Sequence, residues 1–236
     1  MLWLKYFWLR CQQLFYRQRL EQSRHGNLLL DCWHKSFNPF NKNCFIDCHE
    51  AEFLVADLEM SSLDANEGEI LSIGWVIVKH GKIELSSAEH HLLKTKKSVG
   101  QSATIHNLRD CELDQGRNMM FVVERFLQLA AGKVLVFHHS PLDMTYLNKA
   151  SQELFSSPML LPIVDTMEIE KKRLLRSQDH IKPGELRLAE CRSRYNLPAY
   201  PAHNALMDSL SAAELLMAQL DQKGKKVPLR DILQLF

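Results

Sequence analysis

The order of apolar runs predicts an α/β domain built on a mixed β-sheet. Three strand-like runs joined by short turns come first, in FLVAD, EILSIGWVIVKHG and KIELSSAEHHLLK. Two further short runs, KVLVFH and LPIVDT, are each followed by a helical pattern, and a helix-length segment from Asn204 to Leu220 closes the series. Sequential strands with short turns predict an antiparallel meander, and the βββαβα order with a further strand and helices predicts helices packed on a mixed sheet.

Each element has a local reason. FLVAD is a continuous apolar run that ends in acid, as a buried strand reaching the sheet's rim would. Residues 117–130 place Met120, Val123, Phe126 and Leu127 at helical spacing, and Gly132 separates them from KVLVFH. A helix is predicted to start near Pro141, with others over Met167–Arg176, Glu185–Tyr195 and Asn204–Leu220. Residues 36–50, with Pro39 and several Asn, read as a connecting loop.

The first 25 residues are dense in apolar side chains, but Lys5, Arg10, Arg17, Arg19 and Arg24 interrupt them too often for a membrane span. Leu2, Phe7, Cys11, Leu14 and Phe15 fit one helical face. Docking of that helix on its own domain or a partner is the simpler expectation, and an anionic membrane surface is the other. The chain thus divides into an extension over 1–50, a main domain over 51–222 and a short tail over 223–236.

Apolar residues are 46% and charged residues 24% of the 236, which suits a packed core and excludes disorder as the theme. With a net charge of +1 there is no global positive field, so any nucleic-acid contact must come from local patches. Basic candidates lie in KKRLLR and at Lys182, Arg187 and Arg192, where a solvated helix face is an equally good reading. Six cysteines lie without a regular framework and no signal-peptide pattern precedes them, so the expectation is free thiols in the cytoplasm. Cys32, His34, Cys44, Cys48 and His49 have zinc-ligand chemistry, but their spacing is irregular for a zinc site.

The chemistry concentrates at five positions. Asp57 and Glu59 are two residues apart on a predicted strand, so both carboxylates project from one face. Asp143 follows KVLVFH at a helix start, where the helix dipole alone would favour an acid. His203 and Asp208 are five positions apart, which on one helix would turn them about 140° from each other. His203 therefore belongs in the loop after Pro198 and Pro201, with Asp208 on the helix that follows. Carboxylates gathered at strand ends repel one another unless a divalent cation holds them.

In order, these segments resemble the three motifs of the DEDDh group of 3′–5′ exonucleases, the group of the epsilon proofreading subunit of bacterial DNA polymerase III and ribonuclease T. The likeness runs from about Phe53 to Leu220, with supporting matches at Leu63-Asp64, EILSIG, GKI, Ile105-His106 and Asp165-Thr166. It implies a ribonuclease H-like fold and two-metal hydrolysis of phosphodiesters. Asp57 would bridge two Mg²⁺ or Mn²⁺ ions about 3.5 to 4 Å apart, Glu59 and Asp208 would ligate one, and Asp143 the other. His203 would be the general base. Met60, Ser61, Ile105 and His106 would lie against the terminal nucleotide, and a homodimer is a family expectation.

The resemblance has departures. Met60, Ser61 and Ser62 replace the usual T-T-G, His139 and Leu142 replace Asn and Phe of the second motif, and Asn107 replaces the Gly of IHG. No catalytic group is lost. The function implied is release of nucleoside 5′-monophosphates from single-stranded or frayed DNA ends. The alternatives are RNA trimming or short-oligonucleotide hydrolysis, and a non-catalytic nucleic-acid-binding module. The residues after the last predicted helix are too few for an extended polymerase-binding tail, and the terminal Gln234-Leu235-Phe236 is only a truncated likeness of a sliding-clamp peptide, so an autonomous repair or RNA-processing role is expected over a replicase subunit.

Overall fold

Both faces of the two longest central strands are apolar, and that dictates a three-layer molecule. Strand β1 (Glu52–Met60) sends Leu54, Ala56 and Leu58 to one side and Phe53 and Val55 to the other, all of them buried. Strand β2 (Ile70–Lys79) does the same with Ile73, Trp75 and Ile77 against Val76 and Val78. Strands buried on both faces need a cover on each. The protein, described by a computed structural model over residues 2–36, 46–95 and 113–234, supplies one.

The six-stranded sheet has the order β3-β2-β1-β4-β5-β6, with β3 at Lys82–Leu92, β4 at Val134–Phe137, β5 at Ile163–Asp165 and β6 at Leu233–Gln234. Strands β1 to β3 form the antiparallel meander expected from the sequence. Strands β4 and β5 run parallel to β1, and β6 returns antiparallel on the edge of β5. The chain leaves β1 toward β2 on one side and β4 toward β5 on the other. That reversal between adjacent parallel strands opens a crevice at their carboxyl ends.

One layer holds α1 (Leu2–Gln22), α2 (Gly26–Lys35), α3 (Met119–Ala130) and α4 (Ser140–Phe155). Phe126 of α3 is fully buried, its ring centroid 5.8 Å from that of Trp75. The other layer holds α5 (Thr166–Leu174), α6 (Leu188–Ser193) and α7 (Ala205–Lys223), whose Ala212, Ala213, Leu216 and Leu220 pack with Phe53, Val55, Val76 and Val78. No helix among the described residues is long and apolar enough to cross a membrane.

Two segments differ from the sequence expectation. The helical face of Phe7, Cys11, Leu14 and Phe15 is exposed, and α1 docks through Tyr6, Leu9, Gln13 and Leu20 instead. Tyr6 and Leu9 pack with Leu160, Gln13 Nε2 donates to the Leu160 carbonyl at 2.9 Å, and Leu20 joins the main core. A helix with two apolar faces can dock through either, and contacts with Leu160, α2 and the main core select between them. The segment after α7 also returns to the sheet. Val227, Leu229, Ile232 and Leu233 are buried, and the Leu229 N–H donates to the Ile46 carbonyl.

Among the described residues the cysteines are not arranged for zinc. Cys32, on α2, is buried against α3, where its Sγ donates to the Leu127 carbonyl at 3.1 Å, while Cys48 belongs to the core on the opposite side of the sheet. Burial pushes both thiols up to about 12, so they stay protonated and unreactive at neutral pH. Cys44 lies outside the described residues.

Candidate active site

Strand parity carries Asp57 and Glu59 onto the face of β1 that also presents Phe53 and Val55, directly under α7. Their cross-strand neighbours explain how α7 reaches them. Asp57 pairs with Gly74 on β2, and a side chain at Gly74 would collide with the backbone of Ala205 and Leu206 at the start of α7. The missing Cβ lets the helix start come down on the sheet. Ser209, one turn in, ties it there by donating its hydroxyl to the Gly74 carbonyl at 2.8 Å. Asp208 sits between these contacts in the first turn of α7.

Carboxylate oxygens of Asp57, Glu59 and Asp208 consequently lie within 4.8 Å of one another, the one group among the described residues with metal-ligand chemistry and spacing. Glu59 is buried, and Asp57 and Asp208 are half-buried. Asp143 approaches from the other layer at the first turn of α4 and is buried. The backbone N–H groups of Leu58 and of Asp143 itself bond its carboxylate.

Electrostatics of the four acids follow from this crowding. Burial raises the Asp57 carboxyl well above the usual range, and the charges of Asp143, Asp208 and Glu59 push it further. Burial, then Asp208, raises Glu59 from 4.5 to about 7. Burial also raises Asp143 and Asp208, against the pull of the backbone donors that bond each of them. This is a site made for positive charge, and hard oxygen donors suit Mg²⁺ or Mn²⁺ over softer ions.

A pH dependence follows. Below about pH 4.5 Glu59 is protonated in the folded and unfolded chain alike, so it contributes nothing. Between 4.5 and about 7 the unfolded chain ionises first, so folding loses stability as pH rises, by about 3 kcal/mol once the titration is complete. The other three raised carboxyls act in the same direction. Thermal melts in EDTA should therefore show Tm falling from pH 5 to pH 8. Millimolar Mg²⁺ should raise Tm more at pH 8 than at pH 6. An equal Mg²⁺ shift at both pH values would remove the carboxylates from the explanation.

His203 lies in the loop before α7, with Asn204 capping the helix by accepting from the Met207 N–H. It is exposed, has a left-handed backbone (φ 66°), and its main-chain N–H donates to Asp208 Oδ2 at 2.9 Å. That bond fixes the loop to the acid five residues on, and His203 is among the residues lining a groove of about 450 Å³. Asp57, Glu59, Met60, Ser61, Ser62, Leu63, His139, Leu142 and Asp143 line the same groove. Ile105 and His106 lie outside the described residues.

Three supporting residues were not singled out from the sequence for these roles. Asp165 ends β5, is buried, and accepts from the backbone of His139 and Ser140, the Ser140 hydroxyl and the Met167 N–H, so it orients the start of α4 that carries Asp143. Its signal was an acid ending an apolar strand before a helix, an N-cap pattern. Gly74 was visible as a glycine inside a strand, which marks close backbone approach. Arg192 is the third. It is 3% exposed and donates to the Ser211 and Pro198 carbonyls and to Glu214, anchoring the His203 loop on α7, so its charge is spent inside the protein. Arg173 is likewise paired with buried Glu170.

Gly74→Val gives a sharp check on this geometry. The new side chain would force α7 off β2, with an expected loss of about 1–3 kcal/mol in urea denaturation and a smaller Mg²⁺-induced rise in Tm. Loss of stability with the full Mg²⁺ shift retained would show that the helix start does not set the acid cluster.

A mixed sheet covered on both faces, with acids converging at the rim of its first strand, defines a ribonuclease H-like domain with a carboxylate cluster. The match to a family model is direct: residues 54–216 match the RNase T exonuclease family, and the chain belongs to it. A 3′-5′ exonuclease DinG of Staphylococcus haemolyticus is 24% identical over 185 residues, covering 78% of this chain and 20% of that protein. The PolC-type DNA polymerase III of Bacillus subtilis is 26% identical over 185 residues, covering 75% of this chain and 12% of the polymerase. The chain thus spans a fifth or less of these relatives. Among solved structures, the nuclease domain of 3′hExo, a DEDDh family member, bound to rAMP, has a TM-score of 0.63 at 13% identity, with 77% of this chain and all of that one covered. E. coli exonuclease I with a dT13 oligonucleotide gives 0.61 at 13%, covering 73% of this chain and 41% of that one. The fold is that of the DEDDh exonucleases.

Proposed function

We propose that this protein is a divalent-metal-dependent 3′–5′ exonuclease that removes nucleoside 5′-monophosphates from 3′ ends of single-stranded or frayed DNA. The observation that carries the reading is the convergence of Asp57, Glu59 and Asp208 within 4.8 Å, beside a groove that Asp57, Glu59, Asp143 and His203 line together. Asp57, Glu59 and Asp208 would hold the divalent ions together with Asp143, because bound cations relieve the repulsion among four crowded carboxylates at a pH where they are otherwise driven toward protonation. When bound, the ions supply positive charge to the attacking and departing oxygens of the phosphodiester.

The remaining steps belong to the chain's own side chains. His203 accepts the proton of the attacking water, and its exposed loop position lets the proton pass on to solvent. Met60, Leu63 and Leu142 give the groove an apolar wall on which the terminal base and sugar rest. Leu63 is 84% exposed, an apolar cost that a stacked base would repay. The Ser61 hydroxyl accepts from the Glu69 N–H, and Tyr146 and Lys149 donate to the carbonyls of Ser62, Ala65 and Gly68, so the loop enters the reaction already shaped.

DNA is favoured over RNA because the sequence relatives include PolC-type DNA polymerases III, whereas the likeness to the rAMP-bound nuclease is one of fold. The test is digestion of 5′-labelled single-stranded DNA and RNA of equal sequence with Mg²⁺ or Mn²⁺. A ladder shortening by one nucleotide at a time from the 3′ end, faster on DNA, is expected. A faster ladder on RNA would move the substrate to the exoribonuclease side, and internal cuts would contradict exonucleolytic action.

A further inference from the structure

Helix α1 has a second face that the fold leaves outside. At 100° per residue, Trp3, Leu4, Phe7, Trp8, Cys11, Leu14 and Phe15 fill one continuous arc of about 140°. The large ones are 54%, 74%, 61%, 62%, 63% and 66% exposed for Trp3, Leu4, Phe7, Trp8, Leu14 and Phe15. The docking face of Tyr6, Leu9, Gln13 and Leu20 lies on the opposite side. Cations occupy both seams between the two arcs, Arg10 and Arg17 on one side and Lys5 and Arg19 on the other. The helix has no acid before Glu21.

We infer that α1 is an in-plane anchor that seats the protein on an anionic lipid surface. Trp, Phe and Leu on one arc bury into the boundary between headgroups and acyl chains, while Lys and Arg at its rims reach the phosphates. The charge pattern selects this occupant. A second copy meeting the same face would bring the Lys5, Arg10 and Arg19 rims together, like against like, whereas an anionic surface neutralises them; Arg17 is already paired with Glu21 at 2.7 Å. The helix is docked on Leu160 and α2, so the arc is presented already formed. The acids Asp57 and Glu59 face the opposite layer of the sheet, so seating through α1 leaves α7 and its side of the groove in water.

Tryptophan fluorescence of the full chain tests this. Trp33 and Trp75 are 4% and 0% exposed, so Trp3 and Trp8 are the residues whose emission a lipid surface would change. Vesicles of phosphatidylglycerol and phosphatidylcholine should shift the emission to the blue and co-sediment the protein. Pure phosphatidylcholine should bind it at least about tenfold more weakly, and 0.5 M salt should weaken binding to the anionic vesicles. Phe7→Glu with Phe15→Glu keeps both reporter tryptophans and should reduce partitioning at least about tenfold, with unchanged circular dichroism and Tm. Replacing Lys5, Arg10, Arg17 and Arg19 by Gln should remove the preference for anionic lipid. No vesicle binding, or equal binding by the Phe7/Phe15 variant, overturns the inference. Concentration-dependent dimers without lipid, abolished by the same variant, would give the face to a second copy and overturn it as well.

Discussion

Asp57→Ala is expected to lower nucleotide release at least about a thousandfold, the scale of losing charge stabilisation at a reacting oxygen. The same change is expected to raise the Tm of the protein in EDTA. Asp57 is crowded by Asp143, Asp208 and Glu59 in a part-buried pocket, so removing its carboxylate relieves repulsion in the folded state. Asp57→Asn preserves the volume and should show the gain more cleanly. Opposite movement of activity and stability is the mark of a group kept for function at a cost to folding. Urea denaturation and single-turnover digestion of the same preparations measure both. A destabilised, fully active Asp57→Asn would make Asp57 a structural acid.

His203→Asn is expected to reduce kcat by about 10² to 10⁴, the usual contribution of a positioned general base. Asparagine is the better substitution because residue 203 has a left-handed backbone, which Asn tolerates and Ala does not. The main-chain N–H to Asp208 survives the change, so the Mg²⁺-induced rise in Tm should stay as in the parent. An acidic limb in the parent's pH–rate profile that disappears in the variant would assign the proton transfer to the imidazole. A lost Mg²⁺ shift would instead place His203 in holding the acid cluster.

Much of the arrangement could be read from residue order alone because it rests on local rules. Strand parity needs only the spacing of Asp57 and Glu59, and the helical period alone removes His203 from the helix of Asp208. Both outcomes stand in the structure: the two acids share the face under α7, and α7 begins at Ala205. What could not be read depends on partners distant in sequence. Arg192 is basic and reads equally as a phosphate contact or part of a solvated helix face, but Ser211, Pro198 and Glu214 surround it. The docking face of α1 is chosen by its contacts with Leu160, α2 and the main core, and not by the helix's own pattern. Strand β6 spans Leu233–Gln234, too short for any periodicity to reveal. Gly74 and Asp165 carried visible signals, an interior-strand glycine and a strand-end acid. Their roles emerged only when α7 and α4 were seen to rest on them.

The most direct measurement is the first product from a 3′-end-labelled single strand, digested by the full chain beside Asp57→Ala, with Mg²⁺, with Mn²⁺ and with EDTA. The label should leave at once as a nucleoside 5′-monophosphate with either ion. It should stay on the strand in EDTA and with Asp57→Ala. Label released inside an oligonucleotide, no metal-dependent release from DNA or RNA, or equal release by Asp57→Ala would contradict the account.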